Sequence, residues 1–128
     1  MKILLVDDDQ ALATVFQTAL QQQGYEVVLA PDGKSGLEKA KAEKPGFILL
    51  DQILPDISGN EVLKALKSDE ATKNIPTAML SNFGQNELMQ QAIQMGALDY
   101  ILKYQVEPQD VANKIKDLMM QQQQQGTQ

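Results

Sequence analysis

The stretch "FILLDQILPDISG", residues 47–59, runs four apolar residues straight into a carboxylate, then on to a proline and a glycine. A short unbroken apolar run bounded by turn residues predicts a strand covered on both faces. Asp51 stands alone at the exit of that strand. Working outward, "KILLV" (2–6) has the same character. "EVVLA" (26–30), "PTAML" (76–80) and "DYILK" (99–103) complete a set of five short runs. The segments between them have helical spacing. Leu12, Val15, Phe16, Ala19 and Leu20 form one apolar face that Gly24 ends, and Gly36, Leu37, Ala40 and Lys41 suit a shorter helix stopping before Pro45. Val62, Leu63 and Leu66 repeat the pattern, as do Leu88, Ala92 and Ile93, and finally Val111, Ile115 and Leu118. Pro108 falls where the first turn of the last helix tolerates a missing N–H.

Strand and helix therefore alternate five times. Short connections and right-handed crossovers then predict an α/β domain, a doubly wound parallel five-stranded sheet with helices on both faces. The domain is expected to span residues 1–120, with the glutamine-rich segment 121–128 as a disordered tail or truncated linker.

Composition removes several kinds of chemistry. The 128 residues include no cysteine and no histidine, so disulfides, thiolate nucleophiles, histidine triads and histidine-ligated metals are absent from this chain. Net charge is −6 and all 11 basic residues are lysine, a poor match to a phosphate-gripping nucleic-acid surface. No segment approaches the roughly 20 apolar residues of a membrane span. A soluble, cytoplasmic protein is the expectation, with no membrane partner and no direct nucleic-acid binding.

In a parallel sheet the strand exits share one edge, where ligands bind. That edge should collect Asp7, Asp8 and Asp9 from the first strand and Asp51 from the third. Ser81 from the fourth and Lys103 from the fifth should join them. Clustered carboxylates repel one another unless a cation sits between them. Mg²⁺ suits such a site, being a hard ion held by a few carboxylates, waters and phosphate oxygens. A lysine and a hydroxyl alongside suit a phosphoryl group, with a carboxylate as nucleophile toward phosphorus. Asp9 is equally explained as a helix N-cap.

Four segments, "ILLVDDD", "LLDQILPDISG", "AMLS" and "GALDYILK", occur here in an order and spacing that closely resemble the receiver domain of bacterial two-component response regulators. The resemblance covers residues 1–120 and implies a flavodoxin-like (βα)5 fold with strand order 2-1-3-4-5. It implies a signalling switch that takes a phosphoryl group from the phosphohistidine of a histidine kinase or phosphotransfer protein, then acts on a downstream target or output domain. Such a protein assists its own phosphorylation but is not a turnover enzyme. By the same resemblance Asp51 matches the phospho-acceptor, and Asp7 and Asp8 match the acidic pair that holds Mg²⁺, with the backbone carbonyl of Ile53 as a further ligand. Ser81 matches the hydroxyl that reaches the phosphoryl group, Lys103 the lysine that pairs with it, and Tyr100 the aromatic switch that enters the space Ser81 vacates.

Three departures stand out. Tyr104 follows Lys103 where the family usually has a proline in a cis peptide, so a trans or strained bond is expected here. Asn82 replaces a smaller residue and should narrow access to Asp51. Ile53 and Phe83 flank the acceptor with apolar groups that cannot orient water, which predicts a long-lived phosphoryl group.

Other readings differ in class. A receiver kept only as an unphosphorylated interaction module would explain Tyr104. A haloacid-dehalogenase-type phosphatase would use Asp7 and Asp9 of "DDDQA", but its expected Thr or Val is Ala11. A flavin carrier on the same fold needs a hydroxyl- and glycine-rich loop after the first strand, and that loop is triply acidic.

Overall fold

The structure, a computed structural model, describes residues 1–82 and 84–126, the last four through their backbone. Strands β1 (Lys2–Val6), β2 (Glu26–Ala30), β3 (Phe47–Leu50), β4 (Thr77–Ser81) and β5 (Tyr100–Leu102) form one parallel sheet in the order β2-β1-β3-β4-β5. They alternate with helices α1 (Gln10–Gln22), α2 (Gly33–Glu43), α3 (Gly59–Ser68), α4 (Asn86–Gln94) and α5 (Pro108–Gly126). The expected α/β class, fold and strand order are those observed. The last helix carries the glutamine run through residue 126, within the segment read from sequence as a tail.

Alternation of side chains along each strand builds two cores. Ile3, Leu5, Phe47 and Leu49 face the layer of α1 and α5, where Phe16, Leu20, Val111 and Ile115 cover them. Leu4, Val6, Ile48 and Leu50 face the other layer, where Val62, Leu63, Leu66 and Ala92 cover them. All residues of β3 are buried, as an unbroken apolar strand requires. Two residues read as part of helix core faces lie elsewhere: Val15 is 47% and Ile93 48% exposed. Each sits at the edge of its helix's apolar stripe, where a spacing of three or four residues no longer distinguishes core from rim.

The helix entries explain how the sheet edge is shaped. Asp9 accepts a hydrogen bond from Leu12 N and caps α1, while Asp32 accepts from Ser35 N and caps α2. At α3, Ser58 and Glu61 form a reciprocal capping box. Gly59 opens that helix pressed against the backbone of Asp51: a Cβ there would collide with the Asp51 carbonyl oxygen. Its N–H donates to the carbonyl of Gln52 at 2.7 Å, so the chain turns from β3 into α3 with almost no clearance.

Candidate functional site

The carboxyl ends of β1, β3, β4 and β5 meet at a cleft of about 280 Å³ lined by Asp8, Asp9, Asp51, Ile53, Ser81 and Lys103, with Asn82 at its side. Asp7 and Asp51 are buried, and Asp8 is exposed. One carboxylate oxygen from each of the three lies within 4.8 Å of the others. Magnesium–oxygen bonds of about 2.1 Å put ligands on opposite sides of the ion about 4.2 Å apart, a spacing comparable to that of this trio. The donor set, all oxygen and anionic, is the kind that hard cation takes.

Lys103 is buried at the same place and donates to Asp7 Oδ2 at 2.6 Å and to Asp51 Oδ2 at 3.1 Å. Burial works against its charge, but the hydrogen bond to Asp7 and the field of Asp51 outweigh it, and its pKa rises above the usual 10.5. Asp7 shares that single ammonium with Asp51. Burial therefore dominates at Asp7 and lifts its carboxyl above 3.8, although Lys103 and the N–H of Asp9, at 3.0 Å, pull the other way. Two buried acids, Asp7 and Asp51, and two exposed ones, Asp8 and Asp9, against one lysine leave the cleft anionic.

Ser81 is fully buried, at the last position of β4 rather than just beyond it. Tyr100 is buried too, its hydroxyl 3.5 Å from Gln52 Nε2. Burial raises the phenol above 10.0, with the neighbouring Gln52 and Ser81 pulling the other way. The sequence reading has this ring entering a space that Ser81 vacates; here it already lies inside. No cis peptide occurs among the described residues, so Lys103–Tyr104 is trans. Lys103–Gln105 form a 3-10 turn, with Tyr104 66% exposed. Asn82 is exposed beside the cleft, and Phe83 lies outside the described residues. Ile53 lines the cleft, about half exposed, and its N–H points to Asp51 Oδ1 at 3.4 Å.

The sequence reading missed three polar residues around Asp51. Gln52 is buried and exchanges two hydrogen bonds with Asn60: its Oε1 accepts from Asn60 N at 2.8 Å, and its Nε2 donates to Asn60 Oδ1 at 3.0 Å. Asp56 accepts from the N–H groups of Gly33 and Lys34, both at 2.8 Å, and so straps the β3–α3 loop to the start of α2. Those donors push its carboxyl below 3.8. No periodicity marks Gln52, which follows Asp51 two residues beyond the end of β3. Nothing local marks Asp56, whose partners lie in a different helix.

A parallel sheet with this strand order, bearing acids, a hydroxyl and a lysine at one edge, defines a phosphoryl-switch domain. The response regulator receiver domain profile matches residues 3–116, and the chain belongs to that family, whose general function is phosphorylation-dependent switching. It is 36% identical over 118 residues to the alkaline phosphatase synthesis transcriptional regulatory protein PhoP of Bacillus subtilis, covering 92% of this chain and 48% of that protein. It is 35% identical over 117 residues to the phosphate regulon transcriptional regulatory protein PhoB of Pseudomonas aeruginosa, covering 91% of this chain and 51% of that one. The chain thus spans about half the length of the curated relatives it matches. Among solved structures, a CheY-like response regulator receiver domain protein from Methanospirillum hungatei superposes with a TM-score of 0.87 at 32% identity, covering 96% of this chain and 97% of that one. No described helix is long and apolar enough to cross a membrane.

Proposed function

We propose that Asp51 is the phospho-acceptor. A carboxylate oxygen of Asp51 forms a bond to phosphorus as the P–N bond of a kinase or phosphotransfer partner's phosphohistidine breaks, leaving imidazole on the partner. The partner must supply the histidine, because this chain has none. The supporting observation is Lys103 bridging Asp7 and Asp51 inside the acidic trio: an ammonium already in contact with the nucleophile is placed to pair with an added phosphoryl oxygen.

Asp7, Asp8 and Asp51, with the backbone carbonyl of Ile53, would hold Mg²⁺. The bound ion supplies charge neutralisation for the incoming phosphoryl oxygens. Ser81 would donate its hydroxyl to the phosphoryl group. Tyr100, already buried beside the sheet edge, would respond to that movement as the switch residue. Residues 1–120 would form the switch unit. The transcriptional relatives favour a regulatory output in the cytoplasm, with contact to nucleic acid made elsewhere than on this acidic domain. The protein acts as a switch and not as a turnover enzyme.

Intact-mass analysis after incubation with acetyl phosphate and Mg²⁺ tests the assignment. One added phosphoryl mass on the wild type, and none on Asp51→Ala, is the expected result. Equal labelling of both proteins would place the acceptor elsewhere.

A further inference from the structure

Gln52 follows the acceptor directly, yet its side chain turns away from the cleft into the space between the sheet, α3 and α4. It is 1% exposed, and its partner Asn60, the second residue of α3, is 9% exposed. The Gln52 amide is joined to the Asn60 backbone N–H by the 2.8 Å bond and to the Asn60 side-chain oxygen by the 3.0 Å bond described above. Beyond this pair the contacts lengthen. Asn60 Nδ2 donates to the carbonyl of Leu88 at 3.3 Å and to Gln91 Oε1 at 3.5 Å, both on α4. Gln52 Nε2 also reaches the Tyr100 hydroxyl at 3.5 Å. Each side-chain amide nitrogen thus has two acceptors within 3.5 Å, and no described buried side-chain polar atom lacks a partner.

We propose that Gln52 and Asn60 form a positioning relay that ties α4 and Tyr100 to the state of Asp51. This rests on Asp51 being the acceptor. The physical reason lies in the gradient of bond lengths and in burial. The short bonds fix the two amides to each other and to the α3 entry, which itself is pressed against the Asp51 backbone. The long bonds, to α4 and to Tyr100, are the weaker links. A buried amide cannot simply lose a partner, because an unsatisfied N–H in low dielectric is costly. Any shift of the β3–α3 turn when Asp51 gains a phosphoryl group must therefore be followed by α4 and Tyr100, or be answered by a new set of partners. An apolar side chain at position 52 would fill the same volume without this requirement.

The groove that α4 forms with β5, about 460 Å³ and lined by Met89, Ile93, Gln94, Asp99 and Tyr100 among others, is where the relay ends. Gln52 and Asn60 touch none of the reacting atoms. They act through the position of α4.

The test uses hydrogen exchange of the α4 amides, residues 86–94, with and without beryllofluoride and Mg²⁺ as the phosphoryl probe. Phosphorylation by acetyl phosphate is followed in parallel by intact mass. In the wild type, α4 exchange should change about fivefold or more on loading, the lower end of ordinary site-to-site coupling. In Gln52→Met, of similar volume and unable to donate, that change should largely vanish while the phosphoryl mass gain stays. Gln91→Ala, an exposed substitution, decides the matter should Gln52→Met not fold: it should at least halve the α4 response. A folded Gln52→Met that is less stable yet responds like wild type overturns the relay and leaves the acceptor assignment standing. A wild type that gains no phosphoryl mass overturns the acceptor assignment and the relay with it.

Discussion

Lys103 holds one oxygen of Asp7 and one of Asp51, both largely buried, so its charge balances groups with little access to bulk water. Replacing it by Met would strand two buried carboxylates, and breaking such a pair costs about 3–5 kcal/mol. Urea denaturation of Lys103→Met should show a loss of that order without Mg²⁺ and a smaller one with it, since the cation would take over the neutralisation. Ile53 gives a kinetic expectation. Its half-exposed apolar side chain lines the cleft where an attacking water would stand. Ile53→Asn supplies a group that can orient that water, and the phosphoryl half-life followed by mass should shorten severalfold. At this scale the charged residues were legible, since Asp7, Asp8, Asp51 and Lys103 all terminate recognisable apolar runs and a parallel sheet leaves them one place to go. Gln52 and Asn60 were not. An uncharged amide carries no periodicity of its own, and its worth depends on partners 28 and 48 residues away.

The elements around the cleft are held by caps that cross between them. Asp32 satisfies Ser35 N from within the α2 entry, and Asp56 satisfies Gly33 N and Lys34 N from the β3–α3 loop, so three donors that a helix start leaves orphaned are covered by two acids. Asp56 titrates below 3.8 in the folded chain, chiefly because of the Gly33 N–H. The folded state then binds fewer protons than the unfolded state just below 3.8. The stabilisation is present above that pH and is lost as pH falls through the lowered value. Asp56→Asn should be less stable than wild type at pH 6, and the gap should close on acidification, as paired urea curves at pH 6 and about pH 3 would show. Element positions were largely readable: β1, β2 and β3 fall on the expected residues. The expected boundaries of β4 and β5 move by one residue, and Ser81 belongs inside its strand. The apolar-face assignments failed at Val15 and Ile93 because a stripe's rim has the same spacing as its centre.

Across the whole molecule, three acids drawn to one sheet edge would make the folded state a better ligand for a divalent cation than the unfolded chain, where they are not gathered. Binding only to the folded state at a hundredfold excess over Kd contributes about 2.7 kcal/mol. Thermal unfolding in saturating Mg²⁺ should therefore shift upward by roughly 10 °C relative to EDTA, and Asp8→Ala should abolish most of the shift. The fold itself was legible because five apolar runs separated by helical segments leave few topologies once crossovers are right-handed. What holds α4 against the sheet was not, because those contacts join residues that no local pattern connects. The sheet order has one more consequence, for how the chain comes into being. β1 lies between β2 and β3, with Ile3 paired to Val27 on one side and Phe47 on the other. During synthesis β2 can dock early, but the opposite rim of β1 keeps bare amides and carbonyls until Leu50 has left the ribosome. A nascent chain stalled before that point carries an open, greasy ribbon edge ready to pair with a neighbour, the form in which such chains aggregate.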